Sequence, residues 1–368
     1  MLPDFHFASA PRGHRLAAIA ALAYSLVIVY ASLQPFTGWR LPAYPFGEFI
    51  FESWPRWITV DDVLFNFVAY VPLGFLFALS LHRRLGAPPA ILLSSVACLL
   101  LSIALECVQQ YLPSRFASNV DLLVNSTGGA VGALIAPMFS PEQRLGQTLS
   151  GLRYRWFEGG PRGDMVLVLA GLWLVAQLHV PLIAFGYGDL RGTFGFDALF
   201  THAPDSYLLA EAGVVALNVA GLGLMLATAS RSTDFAYWRA LVLLIAGAGA
   251  LKTAAAVLLL DPSRPWSWWT PGLGIGIAAA LVALPLLNQL SRRGRCAAAL
   301  LALLAAVVLV NSMPENPYRP APSHLLAGRV SHFLSFAGML RALSDLWPFL
   351  AALFLLFSLP WRHAADHE

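Results

Sequence analysis

Three stretches of an otherwise apolar chain carry polar side chains at helical spacing. Asp62, Asn66 and Tyr70 succeed one another every four residues, so a carboxylate, an amide and a phenol share one helical face. Glu106 and Gln110 repeat the spacing, with Gln109 one residue round the helix. Asp121 and Asn125 repeat it again and lead into Gly128, Gly129 and Gly132. A short loop carrying Arg115 joins the last two stretches. Carboxylates beside a guanidinium suit a zwitterionic or peptide-like ligand, because both signs of charge are present. Glu106 and Asp121, with Asp61 or Asp62, could instead act as acid and base or hold a divalent cation for chemistry on lipid-linked substrates. A third reading is purely structural, with Arg115 stapling a helical hairpin through Asp121 or Glu106 and Asp121 capping a helix.

These stretches are embedded in lipid. Of 368 residues, 58% are hydrophobic and 12% are charged, and the mean hydropathy is +0.67. Soluble domains carry about twice that share of charge, so the chain cannot cover a water-facing surface. The fold class expected is all-α, a polytopic transmembrane bundle. Apolar runs near the roughly 20 residues needed to cross a bilayer mark ten spans, at 16–34, 63–81, 90–109, 121–139, 164–185, 207–229, 238–260, 271–290, 296–311 and about 346–361. Residues 324–343 read as a half-helix, an interfacial helix or an eleventh span.

Placing the N-terminus in the cytoplasm puts fourteen arginines in inner segments and seven in outer loops, as the positive-inside rule requires. Trp54, Trp57, Trp266, Trp268 and Trp269 flank span ends, where amphipathic rings favour the interface. In this orientation the second span enters from outside at Asp62, the third leaves just past Glu106, and the fourth re-enters at Asp121. The carboxylates then meet at one depth. The expected site is an outer-leaflet polar pocket of Asp62, Asn66, Glu106, Gln109, Gln110, Arg115, Asp121 and Asn125.

The organisation divides at about residue 145. Residues 1–145 form a four-span unit that holds the polar signature. Residues 146–368 form a region of about six spans, read as a degenerate repeat in which PSRPWSW echoes PSRFASN. Lys252, inside an apolar span, needs a partner, for which Glu211 is a candidate, or a route to the interface by snorkelling. Cys98, Cys107 and Cys296 fit no metal or redox spacing and read as small core residues. No phosphate-binding GxxxxGK[ST] and no HExxH occurs, and GLGIGIA (272–278) sits in an apolar span as helix packing. No metal centre, cofactor or nucleic-acid partner is expected; the net charge is only +3.

The N-terminal stretches resemble the VanZ-like membrane proteins. The resemblance rests on YASLQPF (30–36), DDVLFNFVAYVPLGFL (61–76) and ECVQQYLPSRFASNVDLLVNSTGGAVG (106–132) and covers about residues 16–139. Asp61-Asp62 and Asn66-Phe67 stand where the family often has Asp-Lys and His-Phe, while Ser331-His332-Phe333 lies far downstream. The resemblance implies a bacterial inner-membrane location, a cell-envelope connection and a link to glycopeptide antibiotic resistance. It supplies no reaction, and a non-enzymatic role is expected. The partners expected are the lipid bilayer and a lipid-linked or peptide-like envelope ligand.

Overall fold

The computed structural model describes residues 13–33, 36–42, 45, 47–54, 58, 60–179, 183–191, 198–199, 203–232, 235–259, 263–314 and 331–359. The side chains of 13, 14, 61, 62, 258, 259 and 331–339 fall outside that description. Asp61, Asp62, His332 and Trp57 therefore lie outside the described side chains. No strand occurs among the described residues. The helices are α1 Gly13–Leu33, α2 Val60–Leu85, α3 Ala87–Gln109, α4 Asn119–Ile135, α5 Arg144–Trp156, α6 Pro161–Ala176, α7 Pro204–Ala229, α8 Phe235–Leu259, α9 Pro271–Leu287, α10 Arg292–Ser312 and α11 Ser331–Ser358.

Eight described helices are long and apolar enough to cross a membrane: α1, α2, α3, α4, α7, α8, α10 and the Leu340–Ser358 part of α11. Two further spans expected from sequence coincide with shorter helices, α6 and α9. The ambiguous piece at 324–343 resolves from residue 331 onward. It is the first half of α11, continuous with the last span rather than a separate element.

The chain forms two compact units. The first comprises residues 1–154 with 159–164 and 330–339; the second comprises 155–158, 165–329 and 340–368.

In the first unit α4 packs against α2 and α3. Glycines set its closeness to α2. A Cβ at Gly128 would overlap the Phe67 carbonyl, and one at Gly132 would overlap the Val71 carbonyl. Both steps are four residues, so α2 and α4 run in the same direction with backbones in contact. Ser118 caps α4 by accepting hydrogen bonds from the Val120 and Asp121 amides at 3.2 and 3.5 Å. Where α1 begins, Asp164 is fully buried between the guanidinium groups of Arg15, at 3.1 Å, and Arg153.

In the second unit α7 is the central helix, flanked by α9 and α10. Gly276 of α9 lies on the Ala212 carbonyl, which explains GLGIGIA as packing. Residues 184–188, between α6 and α7, are non-helical yet buried, and a helix break serves them. Pro348 within α11 has no N–H to offer the Ser344 carbonyl, and the Gly188 N–H donates to that carbonyl instead at 3.1 Å. Gly188 has φ +78, a conformation that glycine adopts readily. Asn311 fixes the segment from α10, donating to the Gly188 carbonyl at 2.7 Å and accepting from the Leu190 amide at 2.8 Å.

Candidate functional site

The polar face of α2 meets α3 and α4 at the end of the first unit where α3 finishes and α4 begins. Asn66 donates to Asp121 Oδ1 at 2.9 Å. Asn125, one turn further along α4, donates to the Ser102 hydroxyl at 3.1 Å. Glu106, one turn along α3 from Ser102, accepts the Ser118 amide at 2.9 Å. Glu106 is 3% exposed and Asn125 6% exposed, with Asp121 similarly buried. Both carboxylates thus sit in one enclosed cluster, each held from a different side.

The remaining polar residues tie the cluster to its surroundings. Gln109 donates to the Ser32 carbonyl at 3.0 Å. Arg115 donates to the Ala31 carbonyl at 3.3 Å, so both reach the last turn of α1. Gln110 accepts the Gly47 amide at 3.1 Å from the loop joining α1 to α2. Burial pulls the Arg115 pKa down from its usual value, and the nearby Glu106 carboxylate offsets part of that. The positive charge of Arg115 therefore lies near the Glu106 carboxylate as well as the α1 backbone.

One amide of the cluster is satisfied at one end only. Asn125 Oδ1 is buried and accepts nothing. The Tyr70 hydroxyl lies beside the Ser102 hydroxyl.

Residues 12–140 match the VanZ/LLP1 family model. This region is VanZ-like. The match takes in all four helices of the cluster and ends before α5. No curated protein and no solved structure matches the chain.

Of the residues expected in the site, Asn66 and Asp121 bond each other, Glu106 and Asn125 bond Ser118 and Ser102 beside them, and Gln109, Gln110 and Arg115 bond backbone groups of α1 and of the α1–α2 loop. Asp62 lies outside the described side chains. Sequence reasoning missed Ser102 and Ser118. Each left a signal: Ser102 is one turn before Glu106 on the same face, and Ser118 stands three residues before Asp121, as a helix cap does. It also missed Asp164, which the basic residues Arg15 and Arg153 enclose. Among the described residues, no three His, Cys, Asp or Glu side chains are grouped to hold a metal ion.

The Lys252 pairing differs from the expectation. Its ammonium donates to the His179 carbonyl at 3.0 Å, while Glu211 accepts from the Thr270 hydroxyl at 2.9 Å. Thr270 caps α9 through the Leu273 amide. Glu211 is thus spent on a helix end, and the cation on the carbonyl of the turn that follows α6.

Proposed function

We propose that the VanZ-like unit binds the polar headgroup of a bacterial envelope molecule, at the outer leaflet of the inner membrane. The observation that carries this reading is the buried, unpartnered Asn125 Oδ1 beside the Glu106 and Asp121 carboxylates. A cluster built only to hold helices together gains nothing from an open acceptor, and a buried one costs about 1–3 kcal/mol. The open group is an acceptor. The ligand therefore brings N–H or O–H donors. Arg115 on the rim suits an anionic phosphate or carboxylate on the same molecule. A zwitterionic aminophospholipid, an amine-bearing peptidoglycan precursor and a glycopeptide such as teicoplanin share this chemistry.

A structural reading is favoured by a different observation. Gln109, Gln110, Arg115 and Glu106 spend hydrogen bonds on backbone groups at Ser32, Gly47, Ala31 and Ser118. These four hold loops in place. Asn125 is the residue on which the two readings diverge.

Purified protein in nanodiscs separates them. Thermal unfolding is followed with phosphatidylethanolamine, phosphatidylglycerol or teicoplanin added, for wild type, Asn125→Leu and Gln109→Ala. Asn125→Leu should stay folded and lose the stabilisation by an amine-bearing ligand. Gln109→Ala should lower the unfolding temperature and keep the ligand response. Equal ligand responses in wild type and Asn125→Leu would mean that the cluster is a staple.

A further inference from the structure

The loop between α1 and α2 has an inner and an outer face of opposite character. Its inner face is polar and fastened to the cluster's own loop. The Arg40 amide donates to the Tyr111 carbonyl at 2.9 Å, the Gly47 amide to Gln110, and Asn119 to the Glu52 carbonyl at 2.7 Å. Phe49 is buried beneath it, and Gly38, at φ +76, turns the chain beside the Pro113 ring. Its outer face presents Trp39, Leu41, Phe51 and Trp54, and Phe116 joins them from the α3–α4 loop. Leu41 is 86% exposed, Phe51 90% and Phe116 76%. Isolated apolar residues on a surface need no explanation, but a contiguous large group marks an interaction surface.

We infer that this loop lies in the lipid headgroup layer, where it roofs the polar cluster, and that the surface it docks on is the bilayer. Position argues for lipid. The loop starts three residues after α1 ends at Leu33 and runs to α2 at Val60, and Phe116 sits between α3 and α4. Both loops connect helix ends on one side of the unit: the end of α1 to the start of α2, and the end of α3 to the start of α4. Composition argues the same way, because tryptophan with leucine and phenylalanine partitions to the boundary between headgroups and acyl chains. The first turns of the spans that follow these loops also expose apolar side chains, Leu64 on α2 and Leu123 on α4. A headgroup then reaches the cluster sideways from the membrane beneath the roof rather than down from water. That route depends on the headgroup reading, whereas the position of the loop does not.

The test reads depth without any ligand. Nitroxide is attached at Leu41→Cys, Phe51→Cys and Phe116→Cys, with Gln147→Cys on the exposed face of α5 as the aqueous reference; the native Cys98, Cys107 and Cys296 are buried. The full chain is reconstituted in phosphatidylethanolamine–phosphatidylglycerol vesicles. The ratio of oxygen to nickel-chelate accessibility should be several-fold higher at the three loop sites than at Gln147. A ratio equal to that at Gln147 would place the loop in water. Low accessibility to both reagents, with spin broadening that fades on dilution with unlabelled protein, would place a second copy there. Either result overturns the inference. As an independent measure, replacing Trp39 and Trp54 together with phenylalanine should remove part of the fluorescence that brominated lipid quenches. An unchanged quenched fraction would contradict the inference whatever the spin labels show.

Discussion

At the scale of single residues, the two units use buried polarity differently. In the first, Asn125 has one satisfied end and one open end, and Ser102 is the partner that aims it. Ser102→Ala should cost about 0.6 kcal/mol, and at most ~1.7, the range for hydrogen bonds between membrane helices. Unfolding in mild detergent measures this directly. In the second, Asp345 is buried with Oδ1 unpartnered, and its nearest cation, the half-exposed Arg341, stands 3.7 Å away. A buried carboxylate so poorly served is a net cost. Asp345→Asn should therefore raise stability, by about 1 kcal/mol, and a loss of stability would show that Asp345 makes a contact worth more than its desolvation. The first cluster was legible because its residues recur every fourth position in three neighbouring stretches. Asp345 was not, because its one same-helix partner is Arg341 a turn away, and Asp189 reaches it from a non-helical segment distant in sequence.

At the scale of elements, glycine spacing and proline placement set the packing. Gly128 and Gly132 are four apart and face Phe67 and Val71, also four apart, so α2 and α4 touch backbone to backbone. Gly132→Leu should prevent that approach and abolish a folded, monodisperse protein, as judged by size-exclusion chromatography in detergent. Gly171→Ala, where an added Cβ meets open space, should leave the elution unchanged. The spacing that predicts this contact is visible in sequence. The buried break at 184–188 is not. Apolar residues continue from α6 through Pro181 to Phe185, so hydropathy extends one span across 164–185, whereas the helix ends at Ala176. What ends it is tertiary. Gly188 pairs with the carbonyl that Pro348 releases, and Asn311 clamps both sides of the turn. These partners lie more than 100 residues away in sequence, and no local pattern encodes them.

At the scale of the whole molecule, composition alone establishes the solvent as lipid, and the eight long apolar helices agree with it. The orientation expected from the arginine distribution is open to direct measurement. Gln147→Cys, after α4, and Ser267→Cys, before α9, are both exposed. In sealed right-side-out vesicles a membrane-impermeant maleimide should label Ser267→Cys and spare Gln147→Cys; the reverse pattern would invert the topology and put the polar cluster at the cytoplasmic face. The VanZ-like match stops at residue 140, close to where the first compact unit gives way at Tyr154. The cluster, its capping loop and its roof all lie within that unit, so headgroup binding should survive changes in the second unit such as Asp345→Asn.

The central claim is that the open acceptor on Asn125 is filled by a donor-bearing headgroup. Native mass spectrometry tests it most directly, on protein released from nanodiscs of mixed phosphatidylethanolamine and phosphatidylglycerol. Wild type should retain the aminolipid in preference to the glycerol lipid, and folded Asn125→Leu should lose that preference. Equal retention of the aminolipid by both proteins would contradict the account.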